Sequence, residues 1–121
     1  MEIILTTPYK VYKNHRAEPY FTYLKNGEKT IEGRIREGEY QNIGAGDRIV
    51  VYNNEETDSV QVMVKNIRKY SSFKEMLENE QLKKILPDAE TVEEGIKIYE
   101  RFYGPKEEKE FGVVAMEVEV I

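Results

Sequence analysis

Cysteine and tryptophan are absent from the 121-residue chain, and histidine occurs once, as His15. Without cysteine there is no disulfide, thiol nucleophile, iron–sulfur cluster or cysteine zinc site. A single histidine leaves histidine-rich metal sites and Ser-His-Asp chemistry without their parts. Lysine, carboxylates, hydroxyls and tyrosine remain as carriers of chemistry, and neither a metal nor a cofactor is expected. Apolar runs are short, none approaching the roughly 20 residues that cross a bilayer. The opening MEIILTTPYK carries neither a basic n-region nor a small-residue cleavage site. The expectation is a cytoplasmic protein with no membrane role. Basic charge is also scarce: 18 Lys and Arg face 23 Asp and Glu, for a net charge of -5. That balance argues against holding long duplexes by bulk phosphate neutralisation, but leaves room for a local basic groove around a short ligand.

What is present describes a globular chain, 40% hydrophobic and 34% charged. Its length suffices for one core and not for two, so a single domain over residues 1–121 is expected. Residues 2–6 (EIILT) suit a short buried strand. Residues 17–26 show helical spacing of Tyr20, Tyr23 and Leu24, and Gly27 stands where a left-handed helix end is wanted. In KTIEGRI, Ile31, Gly33 and Ile35 alternate with Thr30, Glu32 and Arg34, so a strand separates an apolar face from a polar one. A turn at Gly44-Ala45-Gly46-Asp47 leads into RIVVYN, and the polar stretch from Asn53 to Asp58 returns through SVQVMVKNI, predicting an antiparallel hairpin.

Two capping boxes, Ser72 with Glu75 and Thr91 with Glu94, open helices. Pro87 and Pro105 are expected outside them, and PKEEKE at 105–110 is expected to be a solvated loop. The closing FGVVAMEVEVI alternates Val114, Met116, Val118 and Val120 with Glu117 and Glu119, predicting a last strand with the two glutamates in water. Strands are mostly not separated by single crossover helices, which disfavours a doubly wound sheet. The expected fold is α+β, a small mixed barrel.

Gly27-Glu28-Lys29-Thr30-Ile31-Glu32-Gly33-Arg34 is the most chemically loaded segment. Strand residues two apart lie roughly 7 Å apart on one side, close enough to share a ligand. The bland alternative is a solvated strand face with an ion pair of about 0–1 kcal/mol. Lys10, Lys13 and Arg16 form a sparse basic cluster that suits a phosphate-binding rim, and His15, in the polar KNHR stretch, is expected to be a surface loop side chain. Most of the nine tyrosines read as packing residues with a wet hydroxyl. Tyr70, just before the first capped helix, is singled out as a ligand contact.

The pattern G-x-K-x-x-E-x-R over residues 27–34, the turn Gly46-Asp47, Tyr70-Ser71-Ser72-Phe73 and Phe111-Gly112-Val113-Val114-Ala115, in that order, resembles an ASCH domain (activating-signal-cointegrator homology). The similarity spans nearly the whole chain. It implies a PUA-like β-barrel with flanking helices and a cleft beside residues 27–34. It further implies binding of RNA or a nucleotide, with Gly27, Lys29, Thr30, Glu32, Arg34 and Tyr70 as the candidate ligand contacts here. Some small bacterial members are amidohydrolases that deacetylate N4-acetylcytidine, which makes Lys29 and Glu32 candidate catalytic groups. Those enzymes carry threonine where this chain has Glu32, so their hydroxyl nucleophile is missing. Their further acidic residue corresponds to Glu78 or Glu80.

Chemistry favours static roles. A basic lysine near neutral pH needs a lowered pKa, and the adjacent Glu32 is expected to favour the ammonium, with Arg34 a partial offset. Lys29 and Arg34 then hold a phosphate or carbonyl oxygen, and Glu32 accepts from an amino or hydroxyl group. Glu32 as a general base on water is the hydrolytic variant. A protein-interaction domain is the third reading.

Overall fold

The computed structural model describes residues 9–121. The strand expected at residues 2–6 lies outside them. Five strands, β1 (Val11–Arg16), β2 (Ile31–Ile35), β3 (Arg48–Asn53), β4 (Ser59–Tyr70) and β5 (Val113–Val120), form one mixed sheet in the order β1-β3-β4-β5-β2. Five helices accompany it: α1 (Tyr20–Lys25), α2 (Phe73–Asn79), α3 (Leu82–Ile85), α4 (Val92–Glu100) and α5 (Pro105–Phe111).

The expected hairpin is β3 and β4, antiparallel with Val51 opposite Val60 and Ile49 opposite Val62. Its inward valines and isoleucine join Leu24, Met116 and Val118 in one apolar cluster inside the curl of the sheet. A second cluster, on the other face, packs Ile31, Ile35, Val113 and Ala115 against Phe73, Met76, Leu77 and Tyr99 of the helices. β5 therefore buries both faces over its first half. Val113 and Ala115 face one cluster and Val114 and Met116 the other. The alternation fades at the end, where Val120 is exposed. Glu119 is in water as expected, whereas Glu117 is only half-exposed and lies 3.4 Å from Arg68.

Three local expectations are corrected and one alternative is excluded. The KNHR stretch is not a loop but the end of β1, parallel to β3 with His15 opposite Tyr52. Its polar sequence hides a strand held by backbone pairing rather than by an apolar face. α1 begins only at Tyr20, after Pro19, whose ring removes a donor and restricts the residue before it; the Glu18–Pro19 bond is cis. Gly27 does take the left-handed conformation, at φ 86°. PKEEKE is helix α5, with Pro105 in its first turn, where a missing N–H leaves no helical bond unmade. Glu107 closes that turn by accepting from the Gly104 N–H at 2.8 Å. Finally, the polar face of β2 is not solvated: Glu32 is buried and Arg34 partly so.

The two capping boxes form as expected. The Ser72 hydroxyl accepts from the Glu75 N–H at 3.0 Å and the Thr91 hydroxyl from the Glu94 N–H at 3.1 Å. Ser72→Ala and Thr91→Ala are each expected to lower unfolding free energy by about 0.5–2 kcal/mol, read from urea denaturation midpoints at unchanged slope.

Candidate functional site

β1 and β2 are the two edges of the sheet, yet they meet. Arg16 at the end of β1 donates from Nε to Glu32 Oε1 at 3.1 Å, and its other guanidinium arm lies 2.7 Å from Glu32 Oε2. One turn of the pleat further, an Arg34 amine donates to the His15 carbonyl at 3.2 Å. The sheet thus curls into a half-barrel whose seam is closed by side chains. Backbone ladder bonds do not bridge it, and a cavity of about 220 Å³ opens there.

Lys29 enters this seam from the turn between α1 and β2. Its amine donates to the carbonyls of Ile31 at 2.8 Å and Ile85 at 2.6 Å, and lies 4.0 Å from Glu32 Oε1. It is only 3% exposed. Burial pushes the amine down to about 8; Glu32 pulls it back up, and Arg16 and Arg34 push it further down. The expected dominance of Glu32 is overturned, because desolvation outweighs a single carboxylate at 4.0 Å. For Glu32, burial favours protonation, but Arg16, Lys29 and Arg34 together hold its carboxyl below the usual range. Arg34 donates to the Tyr103 hydroxyl at 3.2 Å, and its Nε is buried without an acceptor among the described residues.

The walls are aromatic. Tyr99 and Tyr103 of the α4 segment stack with Phe73, at centroid separations of 4.2 and 5.3 Å. Tyr20 closes another side and donates to Asp88 at 3.3 Å. His15, pairing with Glu56 at 2.6 Å, and the exposed Phe102 stand at the mouth. Three cations, Arg16, Lys29 and Arg34, line the cavity with one carboxylate, Glu32. Such a surplus of donors suits carbonyl, carboxylate or phosphate oxygens.

Of the residues singled out from sequence, Lys29, Glu32 and Arg34 line this cavity. Gly27 and Thr30 line a neighbouring depression with Lys65 and Glu117. Tyr70 is elsewhere, donating to Glu80, which also receives two bonds from Arg68, at 2.6 and 2.8 Å. Glu80 is thereby committed to Arg68 and Tyr70, and Glu78 is exposed. Sequence reasoning undervalued Arg16 and passed over Tyr99, Tyr103 and Gly33. Tyr99 and Tyr103 stood among the nine tyrosines read mostly as packing residues. Among the described residues, no group of three or more metal-ligating side chains converges, and no helix is long and apolar enough to cross a membrane.

An α+β half-barrel with a cationic seam cavity is the class that the geometry defines, and comparison narrows it. The ASCH domain model matches residues 16–121, so the chain belongs to the ASCH domain family. The hypothetical protein PH0355, known from a crystal structure, is 41% identical with a TM-score of 0.84, the match covering 92% of this chain and 99% of that one. Protein PF0455 from Pyrococcus furiosus, solved by NMR, is 39% identical with a TM-score of 0.73, covering 92% and 97%. An ASCH protein from Zymomonas mobilis shares the fold at 10% identity, with a TM-score of 0.55, covering 88% and 65%. The fold is the small PUA-like one that the sequence resemblance implied. No curated protein matches the chain.

Removing one partner of a buried pair strands the other charge. Arg16→Met is expected to cost about 3–5 kcal/mol, and Arg16→Met with Glu32→Met to recover most of it, as measured by chemical denaturation. Lys29 gives a pH signature. Its amine titrates near 8 when folded and at the ordinary 10.5 when unfolded, so between these values the unfolded chain binds more protons. Stability should rise from pH 8 toward 10, by at most about 1.4 kcal/mol per pH unit. Lys29→Met should lack that rise.

Proposed function

We propose that this ASCH domain binds RNA or a modified nucleotide, holding one nucleoside unit in the seam cavity by Lys29, Glu32 and Arg34. ASCH domains are associated with RNA binding, and the cavity chemistry supports the same reading. The observation that carries it is the clustering of Arg16, Lys29 and Arg34 around Glu32 in an aromatic-walled recess of a chain whose net charge is -5. Single-stranded nucleotides are recognised by aromatic stacking together with hydrogen bonds to base edges. The buried, partnerless Arg34 Nε is a donor in want of an acceptor. At about 220 Å³ the space falls below the roughly 300–1,000 Å³ of pockets for drug-sized ligands, which limits it to about one base or nucleoside.

Titration with nucleosides and short single-stranded RNA across salt tests this. Binding is expected at low salt, with RNA affinity falling as salt rises. Arg34→Ala should weaken it roughly tenfold to a hundredfold, the loss of a charge-assisted bond. Absence of binding at low salt, where attraction is strongest, would sink the proposal.

Hydrolysis of an acylated nucleoside such as N4-acetylcytidine is the second reading, favoured by the Lys29 amine titrating near 8. In that reading neutral Lys29 takes a proton from the water that attacks the acyl carbonyl, and the ammonium so formed returns it to the nucleobase amine as the acyl C–N bond breaks. The carboxylate of Glu32 is a poor base, since Arg16 holds it ionised. Acetate release should climb through pH 8 and vanish in Lys29→Ala. A purified wild type that releases none at high enzyme concentration ends this reading.

A further inference from the structure

The outer edge of β2 carries backbone groups that the sheet leaves unused. Among the described residues β2 ends the strand order, and only its β5 side is paired. On that side the Val118 N–H donates to the Thr30 carbonyl at 2.8 Å and the Arg36 N–H to the Gly112 carbonyl at 3.0 Å. Both belong to one antiparallel register in which Glu32 faces Met116 and Arg34 faces Val114. Ladder bonds recur at every second residue. The even-numbered residues therefore spend their N–H and C=O on β5, and Ile31, Gly33 and Ile35 turn theirs to the seam.

Two of those three carbonyls are engaged. Lys29 Nζ takes the Ile31 oxygen and the Glu37 N–H takes that of Ile35. Gly33, which lines the cavity, keeps both its N–H and its C=O without a partner among the described residues. In one extended residue these two groups lie side by side and point the same way. Buried backbone groups are nearly always satisfied, so an adjacent donor and acceptor on a cavity floor mark a place for a complementary ligand edge.

The glycine itself is required by the wall above it. A Cβ at Gly33 would lie 2.6 Å from Tyr99 Oη and 2.7 Å from Met76 Cε. The missing side chain thus leaves room for the Tyr99 hydroxyl to approach the face of β2 at Gly33. Tyr99 is buried and lines the same cavity, and its hydroxyl makes no side-chain hydrogen bond among the described residues. Three polar groups, one acceptor and two donors, thus line one cavity with no partner among the described residues.

We propose that the Gly33 N–H and C=O, flanked by the Tyr99 hydroxyl, form the base-reading edge of the cavity and pair with the acceptor–donor edge of a pyrimidine. This inference rests on the nucleotide reading above and adds the part that selects the base. The amide edge accepts from the ring N–H of a uracil-type base and donates to the neighbouring carbonyl oxygen, while Tyr99 and the cations supply donors for the second carbonyl. Substituents on that edge are excluded, because Gly33 is fixed in the strand.

The test uses isotopically labelled full-length protein titrated with uridine and with 3-methyluridine, followed at the Gly33 amide resonance. Uridine should shift that resonance, and 3-methyluridine should bind at least roughly tenfold more weakly, having lost a hydrogen bond and gained a clash. Tyr99→Phe, which keeps the stack on Phe73, should weaken uridine roughly threefold to tenfold. Equal binding of the two nucleosides, or saturation by uridine with the Gly33 resonance unmoved, overturns the base-reading edge and leaves the nucleotide reading standing. If uridine fails to bind while another nucleoside or RNA binds, the pyrimidine assignment falls alone. If no nucleoside or RNA binds, both readings fall.

Discussion

The bond between Arg16 and Glu32 closes this fold. It links two strands that the sheet order keeps at opposite edges, 2.7 Å apart at its shorter contact and nearly out of reach of water. Two charges in such a place repay their desolvation only with close geometry and further partners, and Lys29 and Arg34 supply these. The backbone ladder could not do the same work. A continuous ladder across the seam would have used the free edge of β2 and left no cavity.

One sequence pattern serves the fold and also lines the cavity. Lys29 ties the turn after α1 to the carbonyl end of α3 and to β2, and the same amine lies at the cavity wall. Glu32 is held ionised by Arg16 and, in turn, shapes the field felt by Lys29. The side chains that hold the seam together are the same ones on which the proposed ligand chemistry falls. Substitutions here therefore need a folding readout beside any binding readout.

Around the charges, packing sets the shape. Phe73, at the first turn of α2, stacks on Tyr99 and Tyr103, so the capped helix positions the cavity wall through aromatic contact. Gly33 permits the close approach of that wall to β2. The net charge of -5 disfavours capture of a long polyanion by bulk charge.

Much of the architecture was legible in the order of residues. The β-branched run RIVVYN marked β3, alternating valines marked β4 and β5, Ser72 and Thr91 marked two helix starts, and Gly27 marked the end of α1, because each is a local consequence of propensity, period, capping or backbone freedom. The spacing of Lys29, Glu32 and Arg34 together with distant landmarks identified the family. Local chemistry did not reveal β1, whose polar VYKNHR becomes a strand only by pairing with β3. Nor did it reveal that Arg16 reaches Glu32, that burial outweighs Glu32 in lowering the Lys29 amine, or that Gly33 turns an unused amide into the seam. Those depend on which strand ends the sheet and what covers it, and such long-range closure is decided by the assembled chain, where desolvation and edge pairing first come into play.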